Sequence, residues 1–114
     1  MAQVRYEDLY ASSMVVGTEK ALAGRLDTAV AGVTSTEAEH KRVTGFLGRC
    51  ANTGYAVLRL AGRTIATLDL AVMHVLTDFA ALDIVVPVGQ TLAVGMMSST
   101  GTAAGSCTLR YEVG

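Results

Sequence analysis

The chain has 114 residues, enough for one domain and too few for two of ordinary size. Hydrophobic residues make up 51% and charged residues 17%, which excludes intrinsic disorder, a state that needs the opposite balance. Nine basic and ten acidic residues leave a net charge of −1, so no long-range field drives binding to nucleic acid or to an anionic membrane.

The first 42 residues hold 11 of the 19 charges and differ in texture from the rest. Tyr6, Leu9 and Tyr10 lie beside Glu7 and Asp8, ahead of any regular pattern. They read as partner-contact residues on an arm that reaches to about Val16, because tyrosine covers a large area with few rotatable bonds. Residues 19–31 allow two readings. Thr18 can cap a helix over Glu19 to Ala31, with Leu22, Leu26, Ala29 and Val30 on one side and Gly24 as a weak point. The same region also reads as extended pieces, Ser13 to Val16 and Leu26 to Val33. A sandwich needs an eighth strand, and the extended reading supplies it. Residues 1–35 are therefore assigned to an irregular N-terminal arm with room for one strand, and residues 36–114 to a β-sandwich.

After the arm the sequence reads as short strands separated by turns. The candidates are Arg42 to Cys50, Tyr55 to Leu60, Thr64 to Leu70, Val72 to Leu76, Leu82 to Val88, Thr91 to Met97 and Cys107 to Val113. In the last, Cys107, Leu109, Tyr111 and Val113 alternate with Thr108, Arg110 and Glu112, a period of two that sets an apolar row against a polar one. Leu82, Ile84 and Val86 form a similar row opposite Asp83, as do Ala56, Leu58 and Leu60 opposite Arg59. Asn52-Thr53-Gly54, Ala61-Gly62 and Pro87-Val88-Gly89-Gln90 have the composition of tight turns. Ser98 to Ser106 contains only Ser, Thr, Gly and Ala and reads as a surface loop. Such spacing predicts an all-β fold, a jelly-roll-like antiparallel β-sandwich of about eight strands.

Chemistry is hard to find. The histidines, His40 and His74, share no metal spacing with each other or with a cysteine. No Gly-x-Ser-x-Gly elbow, phosphate loop or calcium loop occurs, so the reading is of a non-enzyme with no metal and no cofactor. Cys50 and Cys107 read as buried reduced thiols, the alternative being a disulfide between neighbouring strands. Arg49, Arg59 and Arg63 could converge near one end of the first two hairpins. Tyr111 belongs to the apolar row of its strand. The longest apolar stretches, Leu70 to Leu76 and Ile84 to Val88, fall far short of the roughly 20 residues of a membrane-spanning helix. Glu7 and Asp8 stand where an export signal would be basic and then apolar, which points to folding in a cytoplasm.

One resemblance rests on Leu82-Asp83-Ile84-Val85-Val86-Pro87-Val88-Gly89-Gln90-Thr91-Leu92-Ala93-Val94 and the closing Thr108-Leu109-Arg110-Tyr111-Glu112-Val113. With the small-residue loop between them, these resemble the C-terminal half of compact jelly-roll proteins on tailed-phage virions. Cys50-Ala51-Asn52-Thr53-Gly54-Tyr55 and Leu60-Ala61-Gly62-Arg63-Thr64 resemble the preceding hairpins of the same proteins. The resemblance covers about residues 43 to 113 and transfers no individual residue's role. It implies a capsid decoration or cement protein made in the host cytoplasm and placed on the virion surface. Its partners would be the major capsid protein and its own copies, as a homotrimer. The low charge agrees, since interface cores are depleted in charged residues. The alternative from another class is a receptor-binding or adhesive head of a phage fibre or spike.

Overall fold

A computed structural model describes residues 3–50, 54–69, 80–99, 101 and 103–114. Ten strands follow in chain order: β1 (Gln3–Met14), β2 (Lys20–Ala21), β3 (Ala23–Gly24), β4 (Gly32–Thr34), β5 (Lys41–Cys50), β6 (Gly54–Leu60), β7 (Arg63–Asp69), β8 (Ala80–Val86), β9 (Thr91–Ser98) and β10 (Ala103–Val113). Among the described residues there is no helix. The first sheet has the order β3-β1-β10-β5-β8; in the second, β2-β9-β6-β7 is joined by β4, which also pairs with β9. All strand pairs are antiparallel.

The pairings nest about one hairpin. β6 pairs with β7, β5 with β8, β4 with β9 and β1 with β10. Rolling that long hairpin over itself brings β10 beside β5 and β9 beside β6, which joins each sheet. This is a jelly roll, the sandwich that the spacing of strands and turns predicts. At the hairpin tip Ala61 and Gly62 have φ of 53° and 79°. A two-residue loop of this kind needs two left-handed residues to match the twist of its strands. Alanine pays a steric penalty there that glycine does not. Ala61→Gly is therefore expected to raise stability by about 1 kcal/mol, read as a higher urea midpoint.

The core lies between the sheets and follows the alternation of each strand. Leu9, Val43, Phe46, Leu58, Leu92 and Leu109 are each fully excluded from solvent. Cys107, Leu109 and Tyr111 face this core, as do Ala56 and Leu58, while Leu60, Leu82, Ile84 and Val113 pack against its margin.

Four expectations need correction. The N-terminal segment is not an arm: residues 3–14 form a strand of 12 residues, the longest among the described residues. It pairs with β10 from Gln3↔Val113 to Ala11↔Gly105, and Leu9, Ala11 and Met14 lie in the core. Nor does residue 35 divide the chain, because β1 and β4 are both partners of later strands. Of the two readings of residues 19–31, the extended one holds in part and the helix does not form. Lys20 and Ala21 pair with β9, Ala23 and Gly24 pair with β1, and buried Leu22 lies between as the chain crosses from one sheet to the other. The expected extension from Leu26 onward begins only at Gly32, after a turn that leaves Leu26 wholly exposed. Finally, Ala103 to Ser106 belong to β10, since small residues fit a strand that lies under Met14 and Met96. The expected strand Val72 to Leu76, Asn52 and Thr53 of the expected turn, and His74 lie outside the described residues.

Candidate functional site

The outward residues of the first sheet form its most distinctive surface. β1 turns Val4, Tyr6, Asp8 and Tyr10 outward, and the register sets them opposite Glu112, Arg110, Thr108 and Ser106 of β10. β5 continues the rows with Arg42, Leu47 and Arg49, and β8 adds Val85 opposite Arg42. Val4 is 50% exposed, Tyr6 59%, Tyr10 37% and Val85 67%. Apolar and aromatic side chains thus stand among arginines across the outer face of this sheet.

Local chemistry orders these arginines. The Arg25 guanidinium carbon lies 4.6 Å from the centre of the Tyr10 ring, a cation–π contact. Arg110 donates from Nε to Thr44 Oγ1 at 3.2 Å and from Nη2 to the Thr44 carbonyl at 3.0 Å. It lies so close over the β5 bulge that a Cβ on Gly45 would come 3.0 Å from its guanidinium carbon. Arg42 donates to Glu112 Oε2 at 2.7 Å and lies 3.5 Å from Asp83. Thr108 donates to Asp8 Oδ1 at 2.5 Å.

Of the three residues expected to touch a partner, Tyr6 and Tyr10 are on this surface. Leu9 is not: alternation turns it into the core, where it is fully buried. The arginines expected to converge are separated. Arg49 is on the first sheet, whereas Arg59 and Arg63 are on the hairpin of the second. Arg59 donates to both Glu19 carboxylate oxygens, at 2.9 and 2.6 Å, and holds that carboxyl below its ordinary pKa.

One end of the sandwich is polar inside. Arg5 reaches Glu39 at 3.0 Å, and Lys41 lies 3.7 Å from Glu39 and 5.5 Å from the centre of the Tyr111 ring. Glu7 lines a recess of about 400 Å³ with Val30, Gly32, Thr34, Lys41 and Thr91. Burial raises the Glu7 pKa, neighbouring Asp8 and Asp27 add to the rise, and Lys41 opposes it. A carboxyl with a raised folded pKa makes its ionised form unfavourable at neutral pH, a penalty that disappears as pH falls below its ordinary value of 4.5. Glu7→Gln is accordingly expected to raise the melting temperature at pH 7, with the gain vanishing by about pH 4.

Reactive groups are not gathered anywhere that the structure describes. Cys50 and Cys107 are free and buried, and desolvation pushes the Cys107 thiol well above its ordinary pKa, so it is held as an unreactive thiol. They occupy diagonal positions on adjacent strands, Cys50 opposite Gly105 and Cys107 opposite Gly48. His40 is exposed, and its carbonyl accepts from the Gly114 amide at 3.0 Å. Among the described residues no group of three His, Cys, Asp or Glu side chains could hold a metal ion. The residues that the sequence left unassigned here, Val4, Leu47 and Val85, could have been found from β-strand register but not from composition. No protein-family model and no curated protein matches this chain.

Proposed function

We propose that this protein is a capsid decoration protein that binds a viral capsid lattice through the outer face of its first sheet and stabilises it. The observation that carries the reading is the row of exposed Val4, Tyr6, Tyr10 and Val85 set among Arg25, Arg42, Arg49 and Arg110. Tyrosine and arginine are enriched among the few residues that carry most of the energy in protein interfaces, and a sheet presents them without the entropy cost of ordering a loop. The resemblance of residues 43 to 113 to tailed-phage virion proteins supplies the kind of partner, the major capsid protein, and the expectation of self-association as a trimer on the virion.

Co-sedimentation with capsid shells assembled without this protein tests the proposal. Tyr6→Ala/Tyr10→Ala is expected to weaken binding by about 30-fold or more while leaving the fold intact, because both rings project outward. Unchanged capsid binding by the double variant would sink this surface. Failure of the native protein to bind shells, together with binding to host cells, would favour the adhesive-head reading instead.

A further inference from the structure

The register of the first sheet leaves a depression on its outer face. β10 runs between β1 and β5, and two of its outward residues are small. Ser106 stands between Tyr10 and Arg49, and Thr108 between Asp8 and Leu47. Over them lies a recess of about 320 Å³, lined also by Arg25. Arg25 is held on the β1 side by its stacking on Tyr10 and by its amide, which donates to the Asp8 carbonyl at 3.1 Å. Arg49 stands on the β5 side, exposed, on a backbone paired to Ser106.

The charges here differ from those elsewhere on the molecule. Arg5 is paired with Glu39, Arg42 with Glu112 and Asp83, and Arg59 with Glu19. Among the described residues Arg25 and Arg49 have no carboxylate partner, yet they share one recess. Of the residues that line it only Asp8 is acidic, and its Oδ1 accepts from the Thr108 hydroxyl. Two guanidinium groups against one carboxylate leave a single positive charge, which matches a monoanion. A phosphate carries nearly two negative charges at neutral pH and would set the second against Asp8. A carboxylate offers two oxygens in one plane, the arrangement that guanidinium N–H groups bind best. Leu47 supplies an apolar wall for the stem of a side chain that carries it.

We infer that this recess takes the carboxylate of an aspartate or glutamate side chain of the partner protein, held between Arg25 and Arg49 above Ser106. The inference rests on the reading of this face as the docking surface. It gives that surface a polar anchor beside the two tyrosines and fixes the chemistry of what the partner presents.

The first test uses the full chain without capsids. Sodium acetate is titrated into nitrogen-15-labelled protein at constant ionic strength. Saturable shifts are expected at the Ser106 amide and the Arg25 and Arg49 Nε–H groups, at about tens of millimolar because acetate supplies only four heavy atoms. Arg49→Gln should abolish them with unchanged circular dichroism, since the side chain is exposed. No saturable shift in the native protein, the same shifts in Arg49→Gln, or tighter binding of inorganic phosphate than of acetate would each overturn the inference. On capsid shells, Arg49→Gln should weaken co-sedimentation by about 10-fold or more and reduce its dependence on salt. Shell binding that the tyrosine double variant weakens and Arg49→Gln leaves unchanged would overturn the inference while the docking face stands. A native protein that binds acetate here but no shells would sink the docking face, and with it the lattice as the source of the carboxylate.

Discussion

Deleting residues 3–14 is expected to abolish cooperative folding. These residues make β1, which lies between β3 and β10 and pairs with β10 over nearly its whole length. Removing it uncovers one entire edge of β10 and leaves Cys107 and Leu109 without the neighbours that shield them. Leu9, Ala11 and Met14 also leave the core. Burial of a large apolar side chain contributes about 1.5–3 kcal/mol, so Leu9 and Met14 alone account for roughly 3–6 kcal/mol. A domain of this size has only about 5–15 kcal/mol in total. Near-ultraviolet circular dichroism and a urea titration should show no sharp transition for the truncated chain. A native-like transition would mean that the segment is a dispensable arm after all.

The second large effect concerns Phe46, the largest of the fully buried side chains among the described residues. Phe46→Ala should cost about 3–5 kcal/mol, seen as a fall in urea midpoint at unchanged slope. The ring has its place because residue 48 lacks a side chain: a Cβ there would lie 2.6 Å from Phe46 Cε1. Gly48→Ala alone should thus cost about 1–3 kcal/mol by overpacking. Once the ring is gone the clash is gone too. The double variant Phe46→Ala/Gly48→Ala should be more stable than the sum of the two single effects by at least about 0.5 kcal/mol. Simple additivity would show that the two positions are not coupled through this contact.

The strands with clear alternation were legible because their apolar rows coincide with the core. Cys107, Leu109 and Tyr111 are buried as the period of two implies, and Ala61-Gly62 turns the hairpin where turn chemistry puts it. The candidate surface was half legible. Tyr6 and Tyr10 are on it, but they were read as parts of a loose arm and grouped with Leu9.

The reason lies in β1. Its outward row carries Val4, Tyr6 and Tyr10, while its inward row begins with Arg5 and Glu7. At this end of the sandwich Arg5 and Lys41 are partly exposed and pair with Glu39 instead of packing in the core. Hydrophobic periodicity assumes a dry inner face along the whole strand, so it has nothing to register at Arg5 and Glu7. By itself, then, the sequence determined an all-β sandwich, most of its strands after residue 41, the turns at Ala61-Gly62 and Pro87–Gln90, and its two thiols as core residues. Only the tertiary structure decided that Gln3–Met14 is a strand, that Leu22 marks a crossing between sheets, and which tyrosines and arginines share a surface. Those features depend on pairing between residues from 15 positions apart, as in Leu9 with Gly24, to 100 apart, as in Asp8 with Thr108, and no local pattern carries that information.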